Sequence, residues 1–336
     1  LSSPSWALKV GLVLDKGGKD DKSFNSSAYE GAMKAQKDFG IQLKYVEATD
    51  SNAFESMQRS LAQKDFDLVI AIGFAQVEAL KKIAAQFPAK KFALVDGEVN
   101  ASNVKNLLFE EHEASYLVGA LAALKSTTGK VGFIGGMDIP LIRRFEMGYQ
   151  AGTKKINPKA SLISNFIGVS SEAWNNPAKA KELALAQFSQ GVDIIFVAAG
   201  ASGAGVFDAA EEKKKLAIGV DSNQNWMKPG YVYTSMLKRV DVSVYDTIKG
   251  VKEYCIKNQK PYLIECLTFR MRGHEEASGT KYVPQDLFKS FEAIPFDAGW
   301  YKPPVDTLAC PGCQLTDCPN AQVVFVLCDS NSSVYQ

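Results

Sequence analysis

Acidic and glycine residues follow several short apolar segments of this sequence, at the points where each segment ends. Asp15 opens a long polar stretch after the first apolar segment, and Asp96 and Asp221 come directly after two later ones. Gly200 opens a glycine-rich stretch after another. Carboxylates accept hydrogen bonds from hydroxyl groups, and glycine allows a ligand to approach the backbone closely. These residue types together favour the binding of a hydroxyl-rich small molecule.

Residues that would carry catalysis are scarce in the same part of the chain. Residues 8–251 contain one histidine, His112, inside the acidic run 110–113, which is more typical of a charged first helical turn than of a metal site. The glycine-rich stretch lacks the spacing of phosphate-binding loops. We therefore expect no catalytic residue, no metal and no cofactor, and we expect the acids to hold a ligand rather than transform it.

The elements that must position these residues alternate regularly along the chain. Short, nearly continuous apolar runs predict buried strands of a parallel sheet. They lie at 8–14, 68–72, 92–95, 130–134, 193–198 and 216–220. Longer segments with apolar residues at helical spacing predict amphipathic helices. They lie at 27–39, 53–64, 76–86, 112–125, 141–155, 177–190 and 205–215.

This alternation predicts βαβ units in two lobes, because the pattern restarts at Lys130 after a small, polar stretch. Each lobe is expected to be a doubly wound α/β sheet. In open sheets of this kind, ligands bind beyond the carboxyl ends of the strands. The acidic and glycine-rich loops should therefore face one cleft.

Composition narrows the class of protein further. The chain has 336 residues, of which 46% are hydrophobic, and its net charge of +1 provides no field that would attract nucleic acid or an anionic membrane. No apolar run is long enough to span a bilayer. The sequence begins at Leu1 without methionine, which is compatible with a removed signal or lipid-anchor segment.

A series of motifs runs in order along residues 8–251. Its members are 10–15 (VGLVLD), 20–31 (DDKSFNSSAYEG), 109–119 (FEEHEASYLVG), 135–140 (GGMDIP), 145–152 (FEMGYQAG), 198–207 (AAGASGAGVF), 219–225 (GVDSNQN) and 234–241 (TSMLKRVD). In this order they resemble the basic membrane protein family, the substrate-binding lipoproteins of nucleoside ABC importers. The resemblance implies a type I periplasmic-binding-protein fold, with two α/β lobes joined by a hinge and closing on a nucleoside.

The resemblance also implies roles for individual residues. Asp221 and Asp96 would accept hydrogen bonds from ribose hydroxyls, and Lys238 would orient an acid or donate to ribose oxygens. Gly200 would bring the backbone close to the ligand or allow close helix packing.

The base of the nucleoside would contact a second group of residues. Phe24 would stack on the base, while Asn25 and Asp15 would reach its edge. A second aromatic residue from the other lobe would complete the sandwich; Trp174 is the candidate and Phe196 the alternative.

Each of these assignments has a structural competitor. Asp15 and Asp221 are also placed to cap the helices that follow them, and Phe24 and Trp174 would suit the cores of their lobes. A sugar-binding protein of the same fold is the alternative function, and the absence of an aromatic pair from the cleft would favour it.

The predicted organisation follows from the family pattern. Residues 1–127 and 236–295 are assigned to a discontinuous N-terminal lobe, 128–235 to a C-terminal lobe, and 296–336 to a cysteine-containing tail of unknown origin. The expected partners are a nucleoside and the permease of a bacterial ABC importer, with no nucleic acid. The expected location is the periplasm or the outer face of the cytoplasmic membrane, and a monomer is expected.

After residue 252 the sequence resembles a different family. Residues 253–294 resemble part of the alpha subunit of thiamine-diphosphate-dependent 2-oxo-acid dehydrogenases, with Arg272 and His274 in the loop that lies by the cofactor in that family. The motif that ligates magnesium and diphosphate there is missing, so this activity is a remote alternative. A gene fusion, an engineered chimera and an imperfectly assigned sequence all remain open.

All six cysteines also lie in this last part of the chain. They are Cys255, Cys266, Cys310, Cys313, Cys318 and Cys328. Disulfides are favoured over a zinc site for an exported protein, because only one C-x₂-C pair is present. The apolar run 261–269 is strand-like, and we derive no function from it.

Overall fold

A computed structural model describes residues 7–48, 50–258, 292–294, 300–302 and 324–327. The first lobe contains a parallel sheet of strand order β2-β1-β3-β4-β5. Its strands are β1 (Lys9–Leu14), β2 (Gln42–Glu47), β3 (Leu68–Ile72), β4 (Lys91–Val95) and β5 (Val104–Leu107). Its helices are α1 (Phe24–Phe39), α2 (Phe54–Gln63), α3 (Val77–Gln86) and, from later in the chain, α8 (Val240–Asn258).

Helices cover both faces of this sheet, as its continuous apolar strands require. Leu12 of β1 points into a core shared with α1 and α8, whereas the next residue, Val13, points into a core shared with α2 and α3. Both side chains are fully buried. Strand β1 is therefore covered by helices on both faces, between β2 and β3 in the sheet.

The second lobe repeats the arrangement with the parallel order β10-β9-β8-β6-β7, and β13 (Val324–Leu327) lies beside β10. Its parallel strands are β6 (Lys130–Met137), β7 (Ser161–Gly168), β8 (Ile194–Ala198), β9 (Leu216–Asp221) and β10 (Val232–Lys238). The accompanying helices are α4 (Glu111–Lys125), α5 (Pro140–Ile156), α6 (Pro177–Ser189) and α7 (Gly203–Lys213). The predicted pair of doubly wound α/β lobes is confirmed.

Helices α4 and α5 pack closely together along glycine contacts. A Cβ atom at Gly148 would collide with the backbone carbonyl of His112, and one at Gly152 would collide with that of Tyr116. The predicted lobe boundary at residue 127 places α4 in the N-terminal lobe, although α4 packs along α5; the boundary stays a prediction.

The rest of the chain is described only in part. In a separate compact unit, 269–324, β11 (Glu292–Ile294) pairs antiparallel with β12 (Trp300–Lys302). The strand predicted over 261–269, the Arg272 and His274 loop, and the cysteines from Cys266 onward lie outside the described residues. Among the helices that are described, none is long and apolar enough to cross a bilayer.

Candidate ligand-binding cleft

The carboxyl ends of the strands in both lobes face one cavity. The room inside it for the centres of water-sized molecules is about 60 Å³, and the whole space between the lining atoms, open solvent included, is about 560 Å³. It is lined by Asp15, Lys16, Asp21, Phe24, Asn25, Gly73, Phe74, Asp96, Leu141, Ile142, Phe145, Trp174, Ala198, Ala199, Gly200, Val220, Asp221 and Lys238. All eight residues predicted from the sequence to contact a ligand are among them. Their role in binding stays a prediction, because the cavity shows only that they lie together.

Two of the acids reach the cavity through an unusual backbone conformation. Asp96, directly after β4, and Asp221, at the end of β9, have φ angles of 62° and 67°. Residues other than glycine rarely adopt this left-handed region, and such strain clusters at functional sites. The turn at the end of each strand therefore aims a carboxylate at the cleft at some cost in backbone energy.

Lys238 lies at the centre of a buried ion cluster. Its ammonium Nζ donates to Asp96 Oδ2 at 2.6 Å and to Glu111 Oε1 at 3.0 Å. Arg144 Nε donates to the other oxygen of the same glutamate, Oε2, at 2.8 Å. Lys238 is 1% exposed and Glu111 is 0% exposed. Buried charges are tolerated when they are paired in this way.

The charges of this cluster keep both groups ionised. Burial alone would lower the pKa of Lys238, but the carboxylates of Asp96, Glu111 and Asp221 raise it above its usual value. Burial alone would raise the pKa of Glu111, but Lys238 and Arg144 lower it below its usual value. A fixed positive charge therefore lines the cavity.

Asp96 keeps one oxygen unused. Its Oδ1 is buried and has no hydrogen-bond partner among the described residues, and the same is true of the indole Nε1 of Trp174. Buried polar atoms are nearly always hydrogen-bonded, so each orphaned atom requires an explanation. Both residues line the cavity, where a polar ligand would satisfy them.

Asp221 and Asp15 are carboxyl groups that burial makes less acidic. Removal from water raises the pKa of Asp221 to about 7, even though Lys238 and the hydroxyl of Ser23 oppose the shift. Ser23 Oγ donates to Asp221 Oδ2 at 2.5 Å. Desolvation likewise raises the pKa of Asp15 to about 6, against the backbone N–H of Lys16. Neither side chain caps a following helix in the described contacts.

The side-chain amide of Asn25, the second residue of α1, forms hydrogen bonds with the loop between β1 and α1. Asn25 Oδ1 accepts from the backbone N–H of Asp15 at 2.8 Å, and its Nδ2 donates to Asp21 Oδ2 at 2.9 Å. Asp21 also accepts from the backbone N–H groups of Ser23 and Ser26, each at 2.9 Å. Asn25 therefore holds the loop in shape, and its predicted reading of a base edge is untested.

Aromatic side chains reach the cavity from both lobes. Phe24 is the first residue of α1, and Trp174 lies in a short 3₁₀ turn, Ser171–Asn175, after β7. Trp174 meets Phe74 of the first lobe edge-to-face, with the ring centroids 6.1 Å apart. Phe196, the alternative to Trp174, is fully buried beside Phe133 and does not line the cavity.

Other residues of the cavity were not predicted from the sequence. Phe145 and Leu141 come from α5, where apolar residues at helical spacing look like ordinary core positions. Asp21 was one acid among several in its loop. Glu111 does not line the cavity but contacts Lys238, and in the sequence it is part of a charged helix start. No cluster of metal-ligating side chains is found within the described part of the chain.

The fold and the cleft define a class: a two-lobed binding protein with a type I periplasmic-binding-protein fold. Residues 8–260 match the family of ABC transporter substrate-binding proteins described as PnrA-like, and the chain belongs to this family. A shorter match, over residues 241–295, is to the dehydrogenase E1 component, and it does not establish an enzymatic activity. The family resemblance inferred from the motifs is confirmed.

Individual relatives agree with this assignment. The chain is 34% identical over 257 residues to an uncharacterized lipoprotein of Pyrococcus abyssi, covering 73% of this chain and 63% of that protein. It is 32% identical over 268 residues to the ABC transporter nucleoside-binding protein BmpA of Lactococcus lactis, covering 73% of this chain and 75% of that one.

A solved structure shares the same fold. The ABC transporter solute-binding protein from Aeropyrum pernix K1 is 32% identical and superposes with a TM-score of 0.69, covering 73% of this chain and 71% of that one.

Proposed function

We propose that this protein is the nucleoside-binding component of an ABC importer and encloses an intact nucleoside between its lobes. The observation that carries the proposal is the cavity itself, which combines aromatic side chains with buried, incompletely paired polar groups. Asp96 Oδ1 and Trp174 Nε1 are the orphaned atoms. A molecule with a flat aromatic part and several hydroxyl groups matches this combination. The name of the Lactococcus lactis relative supports the same ligand.

The ribose is expected to bind at the acidic side of the cavity. Asp96 and Asp221 provide acceptors for vicinal hydroxyl groups, and Lys238 provides a donor between them. Hydrogen bonds to charged groups are stronger than neutral ones, especially where water is excluded. Asp15 and Asn25 are then expected to contact the edge of the base, and Gly200 is expected to let the ligand lie close to the backbone.

The base is expected to bind at the aromatic side. Phe24 and Trp174 both line the cavity, and an aromatic residue is the group on which a base stacks. The presence of two aromatic residues, one from each lobe, therefore favours a nucleoside over the sugar-binding alternative, and we expect a purine nucleoside.

The remaining functional assignments follow from family membership. We expect a permease as partner, a lipid anchor that holds the protein at the outer face of the cytoplasmic membrane, and a monomeric state. We expect no nucleic-acid partner, no cofactor and no chemistry on the bound nucleoside. The segment that resembles the dehydrogenase subunit is not expected to contribute an activity.

Calorimetry with a panel of ligands tests the proposal. Adenosine, guanosine, inosine, cytidine and uridine are compared with free bases and with ribose, and mass spectrometry of the purified protein identifies any bound ligand. Tight binding of at least one intact nucleoside, with weaker binding of its base and of ribose, is expected. Binding of ribose or another sugar in preference to every nucleoside would contradict the proposal. Release of free base during incubation would show that the protein is an enzyme.

A further inference from the structure

Glu111 connects the cavity lysine to Arg144 of α5 without lining the cavity itself. Its Oε1 accepts from Lys238 Nζ at 3.0 Å, and its Oε2 accepts from Arg144 Nε at 2.8 Å. The side chain is fully buried, and it is absent from the residues that line the cavity. Its hydrogen bond to a cavity residue is the one to Lys238.

Lys238 needs such a support because an ammonium group on a flexible four-carbon stem has no preferred direction of its own. Asp96 and Glu111 accept two of its three N–H groups. The rings of Phe24, Phe109 and Phe145 lie 5.4, 4.9 and 5.5 Å from Nζ and bound the space around it. Two fixed acceptors and three rings leave one N–H to turn toward the cavity.

Asp96 cannot serve as the support alone, because it also lines the cavity. Its Oδ1 is buried without a partner, so a bound ligand would compete for this carboxylate. Glu111 has both oxygens engaged by cationic groups of the protein. It is the acceptor of Lys238 whose position does not depend on the ligand.

We propose that Glu111 is a positioning residue that holds Lys238 so that its remaining N–H meets the ribose oxygens of the bound nucleoside, while Arg144 holds Glu111. This inference rests on the proposed function. The competing interpretation is that the Glu111–Arg144 ion pair only fastens α4 to α5.

Calorimetry with paired ligands separates the two roles. Adenosine and guanosine are compared with their 2′,3′-dideoxy counterparts in the wild-type protein and in Glu111→Gln. We expect the variant to bind the ribonucleosides about tenfold more weakly, the scale for one hydrogen bond to a charged group, and to bind the dideoxy forms almost unchanged. Arg144→Gln, at a half-exposed position, should show a smaller loss of the same kind.

Arg143→Gln is the matched control on the same helix, because Arg143 pairs with Asp138 and Glu146 outside the cluster. It should leave the affinity for both ligand forms unchanged. Unchanged ribonucleoside affinity in a folded Glu111→Gln protein would overturn the proposal. An equal loss for ribonucleoside and dideoxy form would also overturn it, because a purely structural role predicts that result.

A spectroscopic measurement tests the positioning without any ligand. The NMR signal of the Lys238 ammonium, identified by its disappearance in Lys238→Met, should shift or broaden in Glu111→Gln and in Arg144→Gln. Lys105, which is 9% exposed and donates to Thr247 Oγ1 at 3.4 Å, provides an internal control that should not change. An unchanged Lys238 signal in both variants would overturn the positioning role. Failure of the wild-type protein to bind any nucleoside would instead contradict the proposed function, and the Lys238 signal would still decide the role of Glu111.

Discussion

Asp221 joins the two lobes and faces the cavity at the same time. It accepts from Ser23 of the first lobe and lies among the cavity residues of the second. We expect Asp221→Ala to weaken nucleoside binding by about 2–4 kcal/mol, because a buried hydrogen-bonding carboxyl group is lost and buried ligand hydroxyls stay unpaired. Calorimetry checks the affinity, with Asp20→Ala as the control, because Asp20 is an exposed acid in the loop that carries Ser23. Unchanged affinity in folded Asp221→Ala would assign this residue a structural role only.

The same carboxyl group should make the ligand-free protein less stable as the pH rises. Burial raises its pKa in the folded protein from 3.8 to about 7. Between these values the folded state holds a proton that the unfolded chain has released, so the free energy of unfolding falls with increasing pH and levels off above pH 7. Asp221→Asn removes this contribution, and the slopes from Asp15 and Glu113, whose pKa values burial raises to about 6 and about 7, should remain.

Urea unfolding of the wild-type protein and Asp221→Asn, from pH 4 to pH 8, measures this dependence. The free energy of unfolding of Asp221→Asn, minus that of the wild type, should be larger at pH 8 than at pH 5. Asp20→Asn changes an exposed acid and should give parallel curves. A constant difference between wild type and Asp221→Asn across this range would show that Asp221 titrates as in the unfolded chain.

Stacking of the base gives a third prediction for single residues. We expect Phe24→Ala to cost about 1–3 kcal/mol in nucleoside affinity and almost nothing in ribose affinity, since this is the usual contribution of base–aromatic stacking. Trp226→Ala is the control, because Trp226 is 60% exposed and does not line the cavity. Equal losses for nucleoside and ribose would mean that Phe24 only shapes the first lobe.

Individual site residues were predictable where they directly follow an apolar run that predicts a buried strand. Asp96 and Asp221 follow apolar runs directly, so the rule for open sheets places them in the cleft. Glu111 was not predictable in the same way, because its partners Lys238 and Arg144 are distant in sequence. Only the three-dimensional arrangement shows that this glutamate belongs to the ion cluster.

At the scale of elements, the sequence predicted most of the central strands, whereas it did not predict β2, β5, β7 and β10. The predicted strands at 68–72 and 193–198 coincide with β3 and β8, which are buried along their whole length. Strands β2 and β7 were missed because they lie at sheet edges, where most of their residues are partly exposed and no continuous apolar run forms. A strand that is buried on both faces is easily recognised in a sequence, because it forms a continuous apolar run.

The packing of α4 on α5 gives a prediction for these two elements. We expect Gly152→Ala to lower the free energy of unfolding by about 1–3 kcal/mol, because the added methyl group forces the helices apart. Nucleoside affinity should also fall, since α5 carries Phe145 into the cavity and α4 carries Glu111. Gly250→Ala in α8 is the control; no neighbouring atom of the described residues lies within 4 Å of its added Cβ, so it should be neutral or stabilising. Chemical denaturation and calorimetry on both variants measure these effects, and equal stability of the two would show that α4 and α5 adapt freely.

At the scale of the molecule, the loop between β1 and α1 makes several contacts with the second lobe. The backbone carbonyl of Lys22 accepts from Ser222 Oγ and Gln224 Nε2, each at 2.9 Å, and Lys16 forms an ion pair with Glu172. These contacts hold the lobes together around the cavity. A ligand that also contacts both lobes would add to them, so ligand binding and lobe closure should be coupled.

Ligand should therefore raise the stability of the whole molecule by mass action. A ligand that binds only the folded, closed protein adds about 2.7 kcal/mol at a hundredfold excess over its Kd. For a chain of 336 residues this should appear as a rise of a few degrees in Tm. Nucleosides are compared with free bases, ribose and thiamine diphosphate plus magnesium. An intact nucleoside should give the largest rise, because only it engages Phe24 through the base and Asp221 through the ribose together. A rise with thiamine diphosphate and with no nucleoside would mean that the segment resembling the dehydrogenase, and not the interlobe cavity, determines what this chain binds.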